Sequence, residues 1–265
     1  MVIGDLHIHS TFSDGILSIE ELVDLYGSRG FGVICISDHL CEQSSFLGVS
    51  ARVLNRTLTP ENFERYLDTI EKQAKRAWKK YSMLVLPGFE LTKNFISNYR
   101  SAHILAVDVN GFISADGHAE SLIHQIHAQD ALAIAAHPVN TRKLEKQTYY
   151  LWDQRETLQY HFDAWEVASG PHLFPDVVQS SLPKIANSDL HHPKQINSWK
   201  TAFFCDRDKE AIKNAIRHQT LGVVKFDVQH CKDLEEIHSI HRLQTIPTSG
   251  RDYSLAAARS MIQLT

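Results

Sequence analysis

The chain has 265 residues, 43% of them hydrophobic, enough for one large domain with a sizeable core or for two small ones. Its 27 basic and 31 acidic residues give a formal charge of −4, so no broad basic footprint for a long nucleic-acid backbone is present. The four cysteines, Cys35, Cys41, Cys205 and Cys231, form no Cys-x-x-Cys pair, and no apolar run approaches membrane-spanning length. The N-terminal residues enter a strand pattern without a basic leader, so the expectation is a cytoplasmic chain with no membrane partner. The unusual count is 16 histidines.

Residues 2–9 read as a strand, in which Asp5, His7 and His9 share one face. A turn at Ser13-Asp14-Gly15 returns another carboxylate toward the same end. Ser18 and Glu21 form a capping box, followed by an apolar stripe at Leu22, Val23, Leu25 and Tyr26 that stops at Gly27 and Gly30. Residues 33–37 are a continuous apolar run of buried-strand type, with Cys35 as a small core residue. The polar stretch 42–58 reads equally as a surface loop or a lid. Thr59 as N-cap and Pro60 at the first position open a helix with apolar residues at Phe63, Leu67, Ile70, Ala74, Ala77 and Tyr81.

Further strands are expected at 83–86, 103–109, 131–136, 162–167, 184–187, 201–205 and 222–226, with helices at 119–129 and 209–218. Beyond residue 228 a helical stretch carries Leu234, Ile237, Ile240 and Leu243 on one stripe. Strand–helix alternation of this kind predicts an α/β fold with a mostly parallel sheet, closed or open.

Candidate metal ligands fall at the ends of these strands. Asp38 and His39 follow the second strand, Glu90 the third, and His137 the run ending at Ala136. Asp189 and His191 follow Asn187, and Glu166 lies near the end of its own strand. His103 instead starts its strand, and joins the others only if that strand enters from the carboxyl side. In barrels and open α/β sheets the carboxyl edge is where sites are built. Any one of these residues is unremarkable as a cap or a turn; their joint placement points to a site. His/Asp/Glu ligation without cysteine suits Zn²⁺, Mn²⁺ or Fe²⁺. The pairs His124/His127 and His238/His241 lack that setting and read as solvated or partly buried.

Asp5-x-His7-x-His9-Ser10 with Ser13-Asp14-Gly15 resembles the first motif of the PHP (polymerase and histidinol phosphatase) superfamily. Ser37-Asp38-His39, Pro87-Gly88-x-Glu90, His103, Ala136-His137-Pro138 and Ser188-Asp189-x-His191 resemble its remaining motifs in order, over roughly residues 2 to 225. The resemblance implies a distorted (β/α)7 TIM-like barrel with the metal site at the carboxyl ends of the strands. A PHP barrel domain is then expected over 1–228, and the apolar stripe of the tail makes 229–265 a helical extension packed on the barrel or mediating self-association. It implies a centre of two to three divalent ions, Zn, Mn or Fe. His7, His9, Glu90 and Asp189 would hold one ion; Glu90, His103 and His137 a second; Asp14, His39 and His191 a third. Some members have a histidine in place of Asp14. Asp5 would accept a hydrogen bond from a ligating imidazole, and Glu166 matches a pattern near the site.

The chemistry such a centre supports is hydrolysis of a small phosphate ester by metal-activated hydroxide, with Glu90 bridging two ions. Asp38, His39 or His191 would move a proton to the leaving group. Arg100 and Arg142 are the preferred phosphate-binding residues, with Lys93, Lys143, Arg52 and Arg56 as further candidates. Histidinol phosphate and nucleotides are candidate substrates. The competing readings are a nuclease-like enzyme for short oligonucleotides, a non-catalytic PHP binding module and an amidohydrolase.

Overall fold

The computed structural model describes residues 1–94, 101–139 and 149–227, together with the backbone of 246–247. In chain order the elements are β1 (Val2–Asp5), α1 (Ile19–Gly27), β2 (Val33–Ile36), β3 (His39–Cys41), α2 (Phe46–Val53), α3 (Pro60–Tyr81), β4 (Leu84–Lys93) and β5 (Ala102–Val107). Then follow α4 (Ala119–His127), β6 (Leu132–Ala135), α5 (Tyr150–Asp153), α6 (Arg155–Leu158), β7 (Ala164–Ser169), β8 (His172–Leu173), α7 (Pro175–Gln179) and β9 (Lys184–Asn187). A 3-10 turn at Pro193–Ile196, β10 (Trp199–Phe203), α8 (Lys209–Arg217), β11 (Leu221–Lys225) and β12 (Ile246–Pro247) complete the set.

The strands form one curled, half-barrel sheet in the order β12-β11-β10-β1-β2-β4-β5-β6-β7-β8, with β3 beside β4 and β9 beside β7. β1, β2 and β4 run parallel, as do β6, β7 and β9. The expected uniform (β/α)7 repeat is interrupted at β5, which is antiparallel to both β4 and β6. Beyond β9 the chain returns to the first strand twice, through a parallel bridge from Leu190 to Ile8, past the end of β1, and through β10, which pairs antiparallel with β1.

Strand alternation explains the core. Val33 and Cys35 of β2, with Leu105 and Val107 of β5, join one apolar cluster that Ile212 and Ile216 of α8 also enter. Ile34, Ile36, Ile104 and Ala106 point the other way, into a second cluster with α1 and α3. Both faces of these strands are therefore covered, which is why their sequences are continuous apolar runs. Each such side chain fully removed from water contributes about 1.5–3 kcal/mol.

Local signals set the helix ends. Ser18 and Glu21 bond reciprocally at the start of α1. Thr59 and Asn62 do the same for α3, which stops at Ser82 in the left-handed region (φ 50°). The polar stretch 42–58 contains a helix that its pattern conceals. Ser45 caps α2, but Phe46, Val49 and Val53 are exposed, so the segment lacks an outer polar face.

Two strands differ from expectation. β4 runs ten residues through Glu90 to Lys93 instead of ending near Pro87. It changes partner midway: Pro87 lies opposite Ile36 of β2, and Glu90 opposite His39 of β3. Gly88 makes this possible, because a Cβ there would sit 2.5 Å from Cys35 Sγ and 2.6 Å from the Ala106 carbonyl. β1 ends at Asp5, short of His7 and His9. Past it, side chains replace ladder partners: Asn187 Oδ1 accepts from Leu6 N (2.8 Å) and Ser37 Oγ from Ile8 N (2.9 Å).

Candidate metal centre

Nine residues from seven places in the chain meet at one end of the curl: His7, His9, Asp14, His39, Glu90, His103, His137, Asp189 and His191. His103 arrives because β5 is antiparallel, with His103 opposite Thr92, so the start of β5 lies at the edge where β4 ends. Asp14 is delivered by a turn closed by Ser13 N and Gly15 N, both donating to the Ser10 carbonyl. A side chain at Gly15 would collide with the His9 carbonyl. His137 and Asp189 both adopt positive φ, 25° and 50°, conformations that cost energy and cluster at functional sites.

The donor atoms fall into overlapping groups, each within 4.8 Å: His7, His9 and Glu90; Glu90, His103 and His137; His7, His137 and Asp189; and His9, Asp14, His39 and His191. Glu90 is the hub. Its Oε1 lies 2.8 Å from His103 Nδ1 and 3.1 Å from His137 Nε2, and its Oε2 lies 2.7 Å from His39 Nδ1. Asp189 Oδ1 lies 3.3 Å from His7 Nε2 and 3.2 Å from His9 Nε2. His191 Nε2 lies 3.2 Å from Asp14 Oδ1. His9 thus stands beside the Asp14 group as well as beside His7; its ring is 4.1 Å from that of His191 and 4.3 Å from that of His39.

The supporting residues depart from the sequence reading in two places. Asp5 does not accept from an imidazole. Its carboxylate takes hydrogen bonds from Tyr26 Oη (2.7 Å) and Ser188 N (3.0 Å) and pairs with buried Lys200 Nζ (3.1 Å). Glu166 fills the position instead: Oε1 meets His7 Nδ1 (3.0 Å) and accepts from Asn187 Nδ2 (2.9 Å), while Oε2 accepts from His137 N (2.7 Å). Asp38, expected to shuttle protons, is fully buried and committed to the Asp14 turn. It accepts from Ser10 N (2.8 Å), Ser10 Oγ (2.7 Å) and Ser13 Oγ (2.6 Å). Burial pushes its carboxyl up, and those hydrogen bonds only partly offset it. Gln195 carried no signal in the sequence. Its Oε1 accepts from His191 N (2.8 Å) and His192 N (2.6 Å), which fixes the loop bearing His191.

Charge is concentrated here. Burial works against ionisation of Glu90 and Asp189, but the surrounding imidazoles outweigh it and hold both well below the usual carboxylate range. Burial would lower His7, yet Asp189, Glu166 and Glu90 carry it well above the ordinary histidine value. Burial, with His191 and His39 alongside, drops His9 to about 3. His191 rises to about 9 against its burial, through its hydrogen bond to Asp14 and the charge of Asp189.

The residues fit divalent cations. His7 Nε2 and both ring nitrogens of His9 are buried and make no directed hydrogen bond. Buried polar atoms are ordinarily satisfied, so orphaned nitrogens facing carboxylates mark a place for a cation. The donor groups are imidazole and carboxylate without thiolate. Over them lies a cleft of about 500 Å³, walled by Leu47 and Ala51 of α2 and by Leu54 just past its end, and rimmed by Arg56 and Gln195. Lys93, a candidate phosphate ligand, is buried and bonded to Glu42 and the Ala115 carbonyl. Arg100, Arg142, Lys143, Cys231, His238, His241 and nearly all of the 229–265 extension lie outside the described residues. Of that extension, the backbone at 246–247 pairs with β11. No helix among the described residues is long and apolar enough to cross a membrane.

The PHP domain model matches residues 5–178. A search of curated proteins finds no match. Among solved structures, the chain is similar to a two-domain protein from Bacteroides vulgatus containing a predicted PHP-like metal-dependent phosphoesterase, with 21% identity and a TM-score of 0.65. That alignment covers 84% of this chain but 64% of the Bacteroides protein, so this chain spans less than two thirds of its length. A protein from Bifidobacterium adolescentis, described as a candidate metal-dependent phosphoesterase, aligns at 14% identity over 72% of this chain and 88% of its own, with a TM-score of 0.44. An amidohydrolase from Chromobacterium violaceum with bound sulfate aligns at 16% over 71% and 87%, with a TM-score of 0.45. With the family model spanning most of the chain, this protein belongs to the PHP domain family.

Proposed function

We propose that this protein is a metal-dependent phosphoesterase that hydrolyses a small phosphorylated molecule such as histidinol phosphate or a nucleotide. The observation that carries the reading is the set of orphaned buried nitrogens on His7 and His9, facing Glu90 and Asp189. His7, His9, Glu90 and Asp189 would hold one ion, Glu90, His103 and His137 a second, and Asp14, His39 and His191 a third. His9 also stands within reach of that third group. Bound Zn²⁺, Mn²⁺ or Fe²⁺ would supply charge neutralisation at the phosphoryl group and a lowered pKa for water.

The chain's own residues do the rest. Glu166 holds His7 through Nδ1, so that Nε2 is presented to the centre. Asp38 fixes the turn that presents Asp14. His39 and His191 face the cleft, and where two ions are bound and the Asp14 group is left without one, either imidazole would give its Nε2 proton to the leaving oxygen. No serine or cysteine nucleophile is required. The reading carries with it a cytoplasmic PHP barrel over 1–228 and an extension over 229–265 that packs on it or self-associates.

The test is a phosphate-release screen over histidinol phosphate, mononucleotides, nucleotide bisphosphates and short oligonucleotides, with Mn²⁺ and Zn²⁺ compared and metal content measured. Turnover of a small ester by protein carrying more than one ion per chain is expected. Protein that takes up no ion and releases no phosphate would point instead to a binding module.

A further inference from the structure

The cleft above the cluster is far larger than a phosphate group, at about 500 Å³. Its floor is histidine and carboxylate, and its roof is the apolar inner side of α2. Among the described residues, Arg56 is the one lysine or arginine that lines it. Other basic side chains are engaged away from the cleft: Lys93 with Glu42, Arg76 with Asp24, Lys200 with Asp5. The Arg56 guanidinium has no hydrogen bond or ion pair among the described residues.

Its backbone, in contrast, is anchored to the site. Asn55 turns at φ 52°, and Arg56 N donates to the Ala51 carbonyl (2.8 Å). The next two residues clasp a candidate ligand. Thr57 Oγ1 and Leu58 N both donate to the His39 carbonyl, at 3.1 and 2.7 Å. A long cationic side chain with no partner among the described residues is therefore carried on an anchored backbone beside His39, at the wall of a cleft whose floor is histidine and carboxylate.

The chemistry of the ester decides what such a group reads. A phosphate monoester has three non-bridging oxygens and a diester has two. Where ions take two of them, a monoester still offers a charged oxygen to the cleft wall. A diester offers an uncharged alkoxy oxygen there. Guanidinium binds phosphate oxygens strongly and directionally.

We propose that Arg56 is a specificity-determining residue that binds the third non-bridging oxygen of a phosphate monoester, so that monoesters are the substrate class of this cleft. This rests on the phosphoesterase reading above.

The experiment compares the metal-loaded protein with Arg56→Ala and Arg56→Lys. It measures kcat/KM for p-nitrophenyl phosphate and for methyl p-nitrophenyl phosphate, calorimetric affinity for inorganic phosphate, and metal content. Arg56→Ala is expected to lower monoester kcat/KM and phosphate affinity by about tenfold or more, the worth of one charged hydrogen bond. Diester turnover should stay within about twofold, metal content should be unchanged, and Arg56→Lys should restore part of the loss. Equal losses on both esters, unchanged phosphate affinity in Arg56→Ala, or a wild-type preference for the diester would each overturn the assignment. A wild-type protein that is loaded with metal yet neither binds phosphate nor cleaves either ester would bring down the phosphoesterase reading itself, and the assignment with it.

Discussion

The two ends of the central strands are both dense in charge, and they treat it oppositely. At the end away from the metal centre, Lys213 Nζ meets Asp130 (2.7 Å), Asp108 (3.3 Å) and Glu210 (3.3 Å), and Arg217 meets Asp130 (3.2 Å). Asp163 accepts from Ala133 N (2.8 Å) and pairs with His127 (2.9 Å). Acid and base are matched within the chain. At the other end, three carboxylates and six imidazoles crowd together with buried nitrogens left over. A cluster that satisfies itself is structure; one that stays unsatisfied in a folded core is built for something not in the chain.

The sharpest break of that contrast is at the hub. Glu90→Ala removes a carboxylate shared by His7, His39, His103 and His137. Phosphate-ester hydrolysis should be abolished and at least one bound ion lost. His7→Ala should act likewise. Circular dichroism should show the fold largely intact for both, because the sheet and its two apolar clusters do not depend on these side chains. Full activity retained in both variants would sink the site assignment.

The same contrast explains what was legible in the sequence. Eight of the nine candidate ligands could be picked out because each sits beside an apolar run whose end fixes its position, and Asp14 because the turn Ser13-Asp14-Gly15 brings it back toward the same end. Helix starts at Ser18 and Thr59 were legible because capping is local. The partners of Asp5 and Asp38 were not, since they depend on which strands become neighbours. Lys200 reaches Asp5 only because β10 pairs antiparallel with β1. Glu90 read as following a strand because Pro87 normally ends one; β4 continues by exchanging β2 for β3, a tertiary event. α2 was hidden because its outward face is apolar and its inward face lines a cleft.

A smaller effect follows from protonation. In the metal-free protein His191 titrates at about 9, so at neutral pH it carries a proton that a bound ion must displace. His9, at about 3, is already neutral. Ion affinity of the Asp14, His39 and His191 group should therefore rise as pH increases toward about 9 and then level off, by at most about tenfold per pH unit for each proton released. The sign for folding is the reverse. The raised His191 stabilises the metal-free fold fully below the usual histidine value, and this contribution is lost as pH rises toward about 9. Calorimetry of Zn²⁺ binding in buffers of different ionisation enthalpy counts the protons released; a pH-independent affinity would contradict the assignment.

The smallest effect on chemistry should come from the satisfied end. Lys213 is almost fully buried, and Lys213→Met would leave Asp108, itself largely buried, with the exposed Lys209 as its one basic partner among the described residues. The cost should be about 1–3 kcal/mol of stability, typical of stranding a buried charged group. Chemical denaturation would read that loss, while metal content and kcat/KM of the variant should match the parent. If Lys213→Met instead lowered metal occupancy, the two ends would be coupled through β5 and β6, and the division between self-satisfied structure and unsatisfied site would have to be redrawn along those strands.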